Sequence, residues 1–470
     1  MAHRTHTGLP SDGADVPPAG TQLERSPQQL SSGRLAVAAG SVTALVIATL
    51  IGGALAFLHQ DACRAGAFNA TLVSPLQAHC YSDIDALYPY YGLVHGKIAY
   101  LSSPVDYPVL IGAVMQAASW AVHSVAGILA REREFYDVTT AGLVLFAIAG
   151  VLATACLAGR SRRWTALLVA LSPGLIVAAF INWDLMAMAL TAVAMAAWAR
   201  RRGVLAGVLF GLAIATKFYP LFLLGGLFLL CLRAGRLRAF WVTAAAATAA
   251  WLAVNLPVAI VAFHNWSTFY WRNTARGGDW GSIWYLAAVK GWYLDPGELN
   301  VLSAALILLG FALIAWLVLA APRRPRVPQV FFLVLAVFLL PGKVWSPQYV
   351  IWLVPLVALA RPRLWAYLLW QAAEVAYIFA IWSYLITAGY GRPGGIGDGL
   401  YLTALAGRFL TVALIAALIV RDIVRPQADL VRRDGDDDPA GGVLDRAPDA
   451  ITLRLRPWPR LTRLAGEAAG

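Results

Sequence analysis

Long apolar stretches, broken only by short arginine-rich connections, recur from residue 35 to residue 420 of this 470-residue chain. A helix needs about 20 apolar residues to cross the hydrocarbon of a bilayer. Inside lipid it must also satisfy its own backbone hydrogen bonds. The pattern therefore predicts an all-α fold, a polytopic membrane helical bundle. Composition agrees: 60% of the residues are hydrophobic and 13% charged, where a soluble domain carries about 25% charged. A soluble enzyme is excluded. The net charge of +12 does not point to nucleic acid, because the arginines cluster beside the apolar spans, where they orient the chain and meet anionic membrane lipids.

Residues 1–33 are rich in Pro, Gly, Ser and Thr without an apolar period and are expected to be a disordered cytoplasmic tail. Residues 35–58 carry no charge and read as a signal anchor. Basic clusters at 160–163, 200–202, 233–238, 323–326, 361–363 and 421–425 mark the cytoplasmic side of a bundle over 34–421. Between them the chain goes out and returns as the pairs 164–181 with 185–199, 204–216 with 221–232, 240–263 with 300–321, 330–340 with 344–360, and 364–386 with 401–420. About 12 or 13 helices result. Several fall short of a full crossing, so polar tips meeting at membrane depth imply a cavity opening outward. Residues 107–130 either re-enter or lie along one face, or cross the membrane against the charge rule. Three external loops remain, 59–106, 264–299 and 387–400, followed by a charged segment, 422–470, expected to be a second disordered cytoplasmic tail. Of the four cysteines, Cys63 and Cys80 flank the first loop. They are either free thiols or a bridge worth roughly 3 kcal/mol in the chain-entropy picture.

The residues able to carry chemistry crowd on the outer side. The first loop holds Asp83, Asp85 and Asp106 with several tyrosines, Tyr107 among them. Such carboxylates suit sugar binding and general-base work, or merely cap helices in a solvated loop. At the tips of paired helices stand Asn182, Trp183 and Asp184, then Lys217, Phe218, Tyr219 and Pro220, and later Lys343 through Ser346, Pro347, Gln348 and Tyr349. Lys217 and Lys343 are candidates for an anionic headgroup, with snorkelling to the interface as the alternative. Gln371 and Glu374 are expected to be buried and hydrogen-bonded. The loop 266–292 carries many aromatic residues with Arg272, Arg276 and Asp279, a pattern shared by sugar platforms and interfacial belts. The glycines of 389–394 fit a dinucleotide fingerprint, but an apolar helix precedes them instead of a strand. No zinc spacing, Walker loop or serine elbow occurs.

Together, Ser82, Asp83 and Ile84 with Leu87 and Tyr88, the stretch from Gly92 and Gly96 to Tyr100, Asp106 with Tyr107 and Pro108, the Asn182 and Lys217 tips, and Lys343 to Tyr349 resemble glycosyltransferase family 87. The resemblance runs from about residue 35 to 420. It implies an actinobacterial GT-C fold and an inverting sugar transfer on the outer face of the bacterial plasma membrane. The implied donor is a polyprenyl-phosphate sugar, with mannose the expected hexose, and the acceptor a cell-envelope lipid or glycan. The family's catalytic base falls on Asp83. Asp85 stands where relatives often carry proline, which leaves two close carboxylates competing. The expected substrate contacts are Asp85, Asp106, Tyr107, Asp184, Lys217, Tyr219, Lys343, Gln348 and Tyr349. No cofactor is implied and no metal required, although Asp83, Asp85 and Asp106 can hold a hard cation if they converge. The rival function is a transporter or flippase of lipid-linked precursors, using intramembrane charges along a path that reaches both faces.

Overall fold

A computed structural model describes residues 27–67, 71 and 73–453. The chain divides into a short unit, Met1–Thr43, helical from Pro27 in its described part, and the bundle, Ala44–Gly470. Its main helices are α1 (Pro27–His59), α2 (Asp83–Tyr90), α3 (Val109–Ala121), α4 (Ile128–Leu157), α5 (Asp184–Ala199), α6 (Gly203–Ile214), α7 (Tyr219–Arg233) and α8 (Leu237–Val261). They continue as α9 (Phe263–Ala275), α10 (Ile283–Val289), α11 (Pro296–Ala320), α12 (Val327–Leu339), α13 (Val350–Ala360), α14 (Leu364–Ala388) and α15 (Asp398–Val424). Among the described residues six helices are long and apolar enough to cross a membrane and six more are apolar but shorter, with no strand between them. The all-α membrane bundle is thus the observed fold.

The helices end where the sequence withdraws helical support. Ser172 accepts from the Leu175 amide at 3.2 Å and Pro173 follows at the first helical position, so 164–181 is not one span but a set of short turns ending before α5. Helix α11 opens with a capping box, Asp295 accepting from the Gly297 and Glu298 amides. Gly203, Gly207 and Gly211 recur every fourth residue on α6. A Cβ on Gly207 would come 2.3 Å from the Thr243 carbonyl of α8, and one on Gly211 2.3 Å from that of Ala247. Small residues at this spacing let two membrane helices approach backbone to backbone.

Helices α5, α6, α7, α12 and α13 have 11 to 16 residues, about 17–24 Å against a hydrocarbon core of about 30 Å. Their tips therefore stop inside the bundle, as expected. Helix α3 has 13 residues and is one of the shorter apolar helices. Its Gln116 accepts from the Ala99 amide at 2.8 Å and its Ser119 donates to the Leu93 carbonyl at 3.2 Å, both in the first loop. Arg131, on the first turn of α4, donates to Val94 of the same loop at 2.8 Å. The segment 107–130 thus packs onto the first loop. Cys63 and Cys80 are bridged.

Two expected tails need correction. Of residues 1–33, the first 26 lie outside the described part, but the chain is already helical at Pro27. From 422 to 453 the chain is ordered and packs across the basic end of the bundle; 454–470 lie outside the description. Its acidic residues, read from sequence as solvated, are counterions for the helix-connecting arginines. Asp422 pairs with Arg361 at 3.0 Å, Asp437 with Arg323 at 2.9 Å, Asp449 with Arg233 and Arg324 at 2.7 and 2.6 Å, and Asp434 with Arg162. Asp429 meets Arg326 at 2.8 Å with both side chains 2% exposed. Arg326 spends its remaining donors on the Leu359 and Ala360 carbonyls. A buried guanidinium is tolerated only when paired and fully hydrogen-bonded, and the acidic strap supplies that here. Much of the positive charge that looked topological is therefore neutralised within the chain.

Candidate active site

Helix α2 is built onto the break that precedes α5. Ser82 Oγ accepts from the Ile84 amide at 3.1 Å and donates to the Phe180 carbonyl at 2.7 Å, while the Asp83 amide donates to Ile181 at 2.6 Å. The bridge at Cys80 anchors the chain three residues upstream. Asp83 is thereby fixed as the first residue of α2, where the helix dipole favours a negative charge. It faces a cavity of about 840 Å³.

Tyr107 donates to Asp83 Oδ2 at 2.6 Å and accepts from Asn182 Nδ2 at 3.3 Å. Its own placement depends on Tyr100, whose hydroxyl donates to the Tyr107 carbonyl at 2.8 Å. The Tyr100 ring fills the place where a Cβ on Gly112 would stand, 2.3 Å away, so only glycine fits there. Burial pushes the Asp83 carboxyl above the ordinary carboxylate range. The Tyr107 hydrogen bond, the Lys217 charge, Tyr81 and Arg276 act in the opposite direction.

Lys217 also lines the cavity. Its Nζ lies 3.0 Å from Asp184 and 4.7 Å above the Tyr107 ring. Asp184 is fully buried, accepts from Trp352 Nε1 at 3.0 Å and is not part of the cavity wall. It holds the lysine rather than the substrate. Gln348 and Tyr349 complete this side. They are set in place by Arg408, which donates to the Trp345 and Ser346 carbonyls at 2.8 and 2.9 Å and to Glu374 at 2.9 Å, all within the core. Gln371 accepts from Ser172 and Gly174. The buried, hydrogen-bonded roles expected for Gln371 and Glu374 are those observed.

The opposite wall comes from the loop 264–299. Arg272 and Arg276 line the cavity; Arg272 pairs with Asp106, which also lines it, and Arg276 with Asp279 at 2.9 Å. Burial raises the Asp279 carboxyl, against the pull of Arg276.

Besides Asp184, three more of the expected contacts lie off the cavity wall. Asp85, two residues along a helix from Asp83, points to another side and is not on the cavity wall. Its Oδ2 is buried without a partner. Burial, with Glu132 and Asp137 nearby, pushes its carboxyl up to about 7. Of the two close carboxylates only Asp83 lines the cavity. Lys343, expected on a phosphate, donates to the Thr274 and Arg276 carbonyls at 3.2 and 2.9 Å and to Asn300. With those acceptors it staples the loop that carries Arg276. Tyr219 is buried against α5, donating to the Ala187 carbonyl at 3.2 Å and stacking on Trp352. Among the described residues no group of three or more His, Cys, Asp or Glu side chains, Asp83, Asp85 and Asp106 included, is placed to hold a metal ion.

Sequence reasoning did not single out Tyr81, Tyr91, Trp382 or Tyr390, all on the cavity wall. Arg272, Arg276 and Asp279 were visible in the aromatic loop, but nothing in the sequence separates a sugar platform from an interfacial belt. The signal that could have found them is the placement of three charges among aromatics in one external loop.

The sequence model described as glycosyltransferase family 87 matches residues 89–347, more than half of the chain. The match takes in Asp106, Tyr107, Lys217, Arg272 and Arg276; Asp83, Gln348 and Tyr349 lie just beyond its ends. No curated protein matches the sequence.

Proposed function

The chain belongs to glycosyltransferase family 87, and from this premise we propose that it moves a hexose, mannose by the family resemblance, from a polyprenyl-phosphate sugar to a cell-envelope lipid or glycan on the outer face of the plasma membrane, with Asp83 as general base. The observation that carries the reading is a half-buried carboxylate, hydrogen-bonded by Tyr107, on the wall of a roomy cavity whose other walls bear Lys217, Arg272 and Arg276.

The chemistry needs little more. The acceptor oxygen attacks the anomeric carbon as Asp83 takes the hydroxyl proton. The bond from that carbon to the phosphate oxygen breaks, and its electron pair leaves with the lipid phosphate. Lys217, Arg272 and Arg276 are placed to meet that charge. A single displacement of this kind inverts the anomeric centre. A flippase would need a polar path to both faces; here the charged cavity belongs to one end and the acidic strap closes ion pairs at the other, which favours transfer over transport.

The test is Asp83→Asn in purified protein supplied with labelled polyprenyl-phosphate mannose and envelope lipid extract. Loss of transfer by about 10²–10⁴-fold, with unchanged thermal stability and retained donor binding, is expected. A variant with near-normal turnover would remove Asp83 from the role.

A further inference from the structure

At the strapped end of the bundle eight arginines are met by acidic residues; of the others among the described residues, three share one cavity. Arg201, Arg236 and Arg238 surround a separate cavity of about 400 Å³ that also touches Trp198, Val242 and Val443. Among the described residues none of the three has a carboxylate or acceptor partner, whereas Arg162, Arg233, Arg323, Arg324, Arg326 and Arg361 all do.

The backbone beneath Arg201 is a second, independent sign. The turns after α5 and after α7 are the same helix stop. Arg202 and Arg236 donate back to Ala197 and Cys231, and Arg201 and Gly235 donate to Trp198 and Leu232. That stop puts its cap residue in the left-handed region, where glycine is the usual occupant. The α7 turn uses Gly235, φ 64°; the α5 turn places Arg201 there, φ 59°. A guanidinium is held over the cavity at a position where its backbone is disfavoured. The third wall is equally fixed: Trp198 donates to Gly441 of the strap at 2.8 Å, and a Cβ on Gly442 would come 2.2 Å from the Trp198 carbonyl.

The cavity borders the start of α8, whose apolar span is only 11% buried in the bundle. Trp241 and Val242 there are 59% and 41% exposed. Three cations over an opening that continues into an apolar helix face match an amphiphile with an anionic head. We propose that this cavity is a binding site for the phosphate headgroup of an anionic phospholipid, its acyl chains lying along α8, separate from the transfer site.

The test uses the full chain, delipidated in detergent, with phosphatidylglycerol, phosphatidylcholine or inorganic phosphate as probes and native mass spectrometry with thermal shift as readouts. Arg201→Gly combined with Arg236→Gln and Arg238→Gln empties the site; the glycine suits the left-handed turn, so folding is preserved. Arg163→Gln, Arg425→Gln and Arg433→Gln together remove the same charge at the same end, away from the cavity. At about fivefold per arginine, the first variant should bind phosphatidylglycerol about a hundredfold more weakly. The control should stay within about fivefold of the parent, and phosphatidylcholine should bind weakly throughout. Equal losses in both variants would reduce the effect to general surface charge and overturn the site, as would full retention in the first. Displacement of the lipid by millimolar inorganic phosphate would overturn the lipid assignment in favour of a soluble phosphate compound.

Discussion

Replacing Tyr107 with phenylalanine isolates one hydrogen bond at the proposed base. The ring remains, and with it the cover over Lys217 Nζ at 4.7 Å and the edge contact with Trp183 at 5.6 Å. What is lost is the hydroxyl, with its donation to Asp83 Oδ2 at 2.6 Å and the longer hydrogen bond it accepts from Asn182 at 3.3 Å. A hydrogen bond to a charged acceptor is worth about 1.5–3 kcal/mol. Each pKa unit corresponds to about 1.36 kcal/mol, so the carboxyl should rise by about one to two units above its already raised position. Asp83 must be ionised to accept a proton, so its basic form is lost as pH falls through that value. The acid limb of the kcat/KM profile should therefore move to higher pH by about one to two units, with activity largely recovered well above it. Measuring transfer from labelled donor across pH for the parent and Tyr107→Phe decides the matter. An unshifted acid limb, or a loss equal at every pH, would refute the assignment of that limb to Asp83.

Asp85→Asn gives a stability prediction of definite sign. The folded carboxyl is pushed up to about 7, while in the unfolded chain it titrates near about 3.9. The folded state holds the extra proton between these values, so the group's stabilisation is complete below the lower one and is lost as pH rises through about 7. The variant should melt higher than the parent at pH 8 and close to it at pH 4, with transfer retained; calorimetry across pH checks this. Removing the bridge with Cys63→Ser and Cys80→Ser should cost roughly 3 kcal/mol in denaturant unfolding and lower transfer more than donor affinity, since Cys80 anchors the turn before Asp83. Lys343→Ala should lower melting, whereas Arg276→Ala should leave melting intact and raise the donor KM several-fold. Side-by-side kinetics and thermal scans distinguish the staple from the wall residue.

How far this protein could be read without coordinates follows from the range over which each signal acts. Apolar runs and the order of polar tips are local, so the membrane bundle, its short paired helices and the candidate status of Asp83, Lys217 and Gln348 were legible along the chain. Chain order could not say which polar groups would be used up on one another. Asp184 turned out to hold Lys217, Lys343 to staple the Arg276 loop, and Asp422 to Asp449 to neutralise distant arginines, because burying any of these charges required a partner that only packing could bring near. Nor could it choose between Asp83 and Asp85, whose sequence environments are almost the same. Two residues of helix turned them to different sides, and the tertiary structure then decided which side was a cavity. Sequence alone thus determined what kind of molecule this is, since lipid as a solvent leaves the backbone few options. The assignment of each charge to substrate, scaffold or counterion was left to the fold, since electrostatic pairing depends on distance in space and not along the chain.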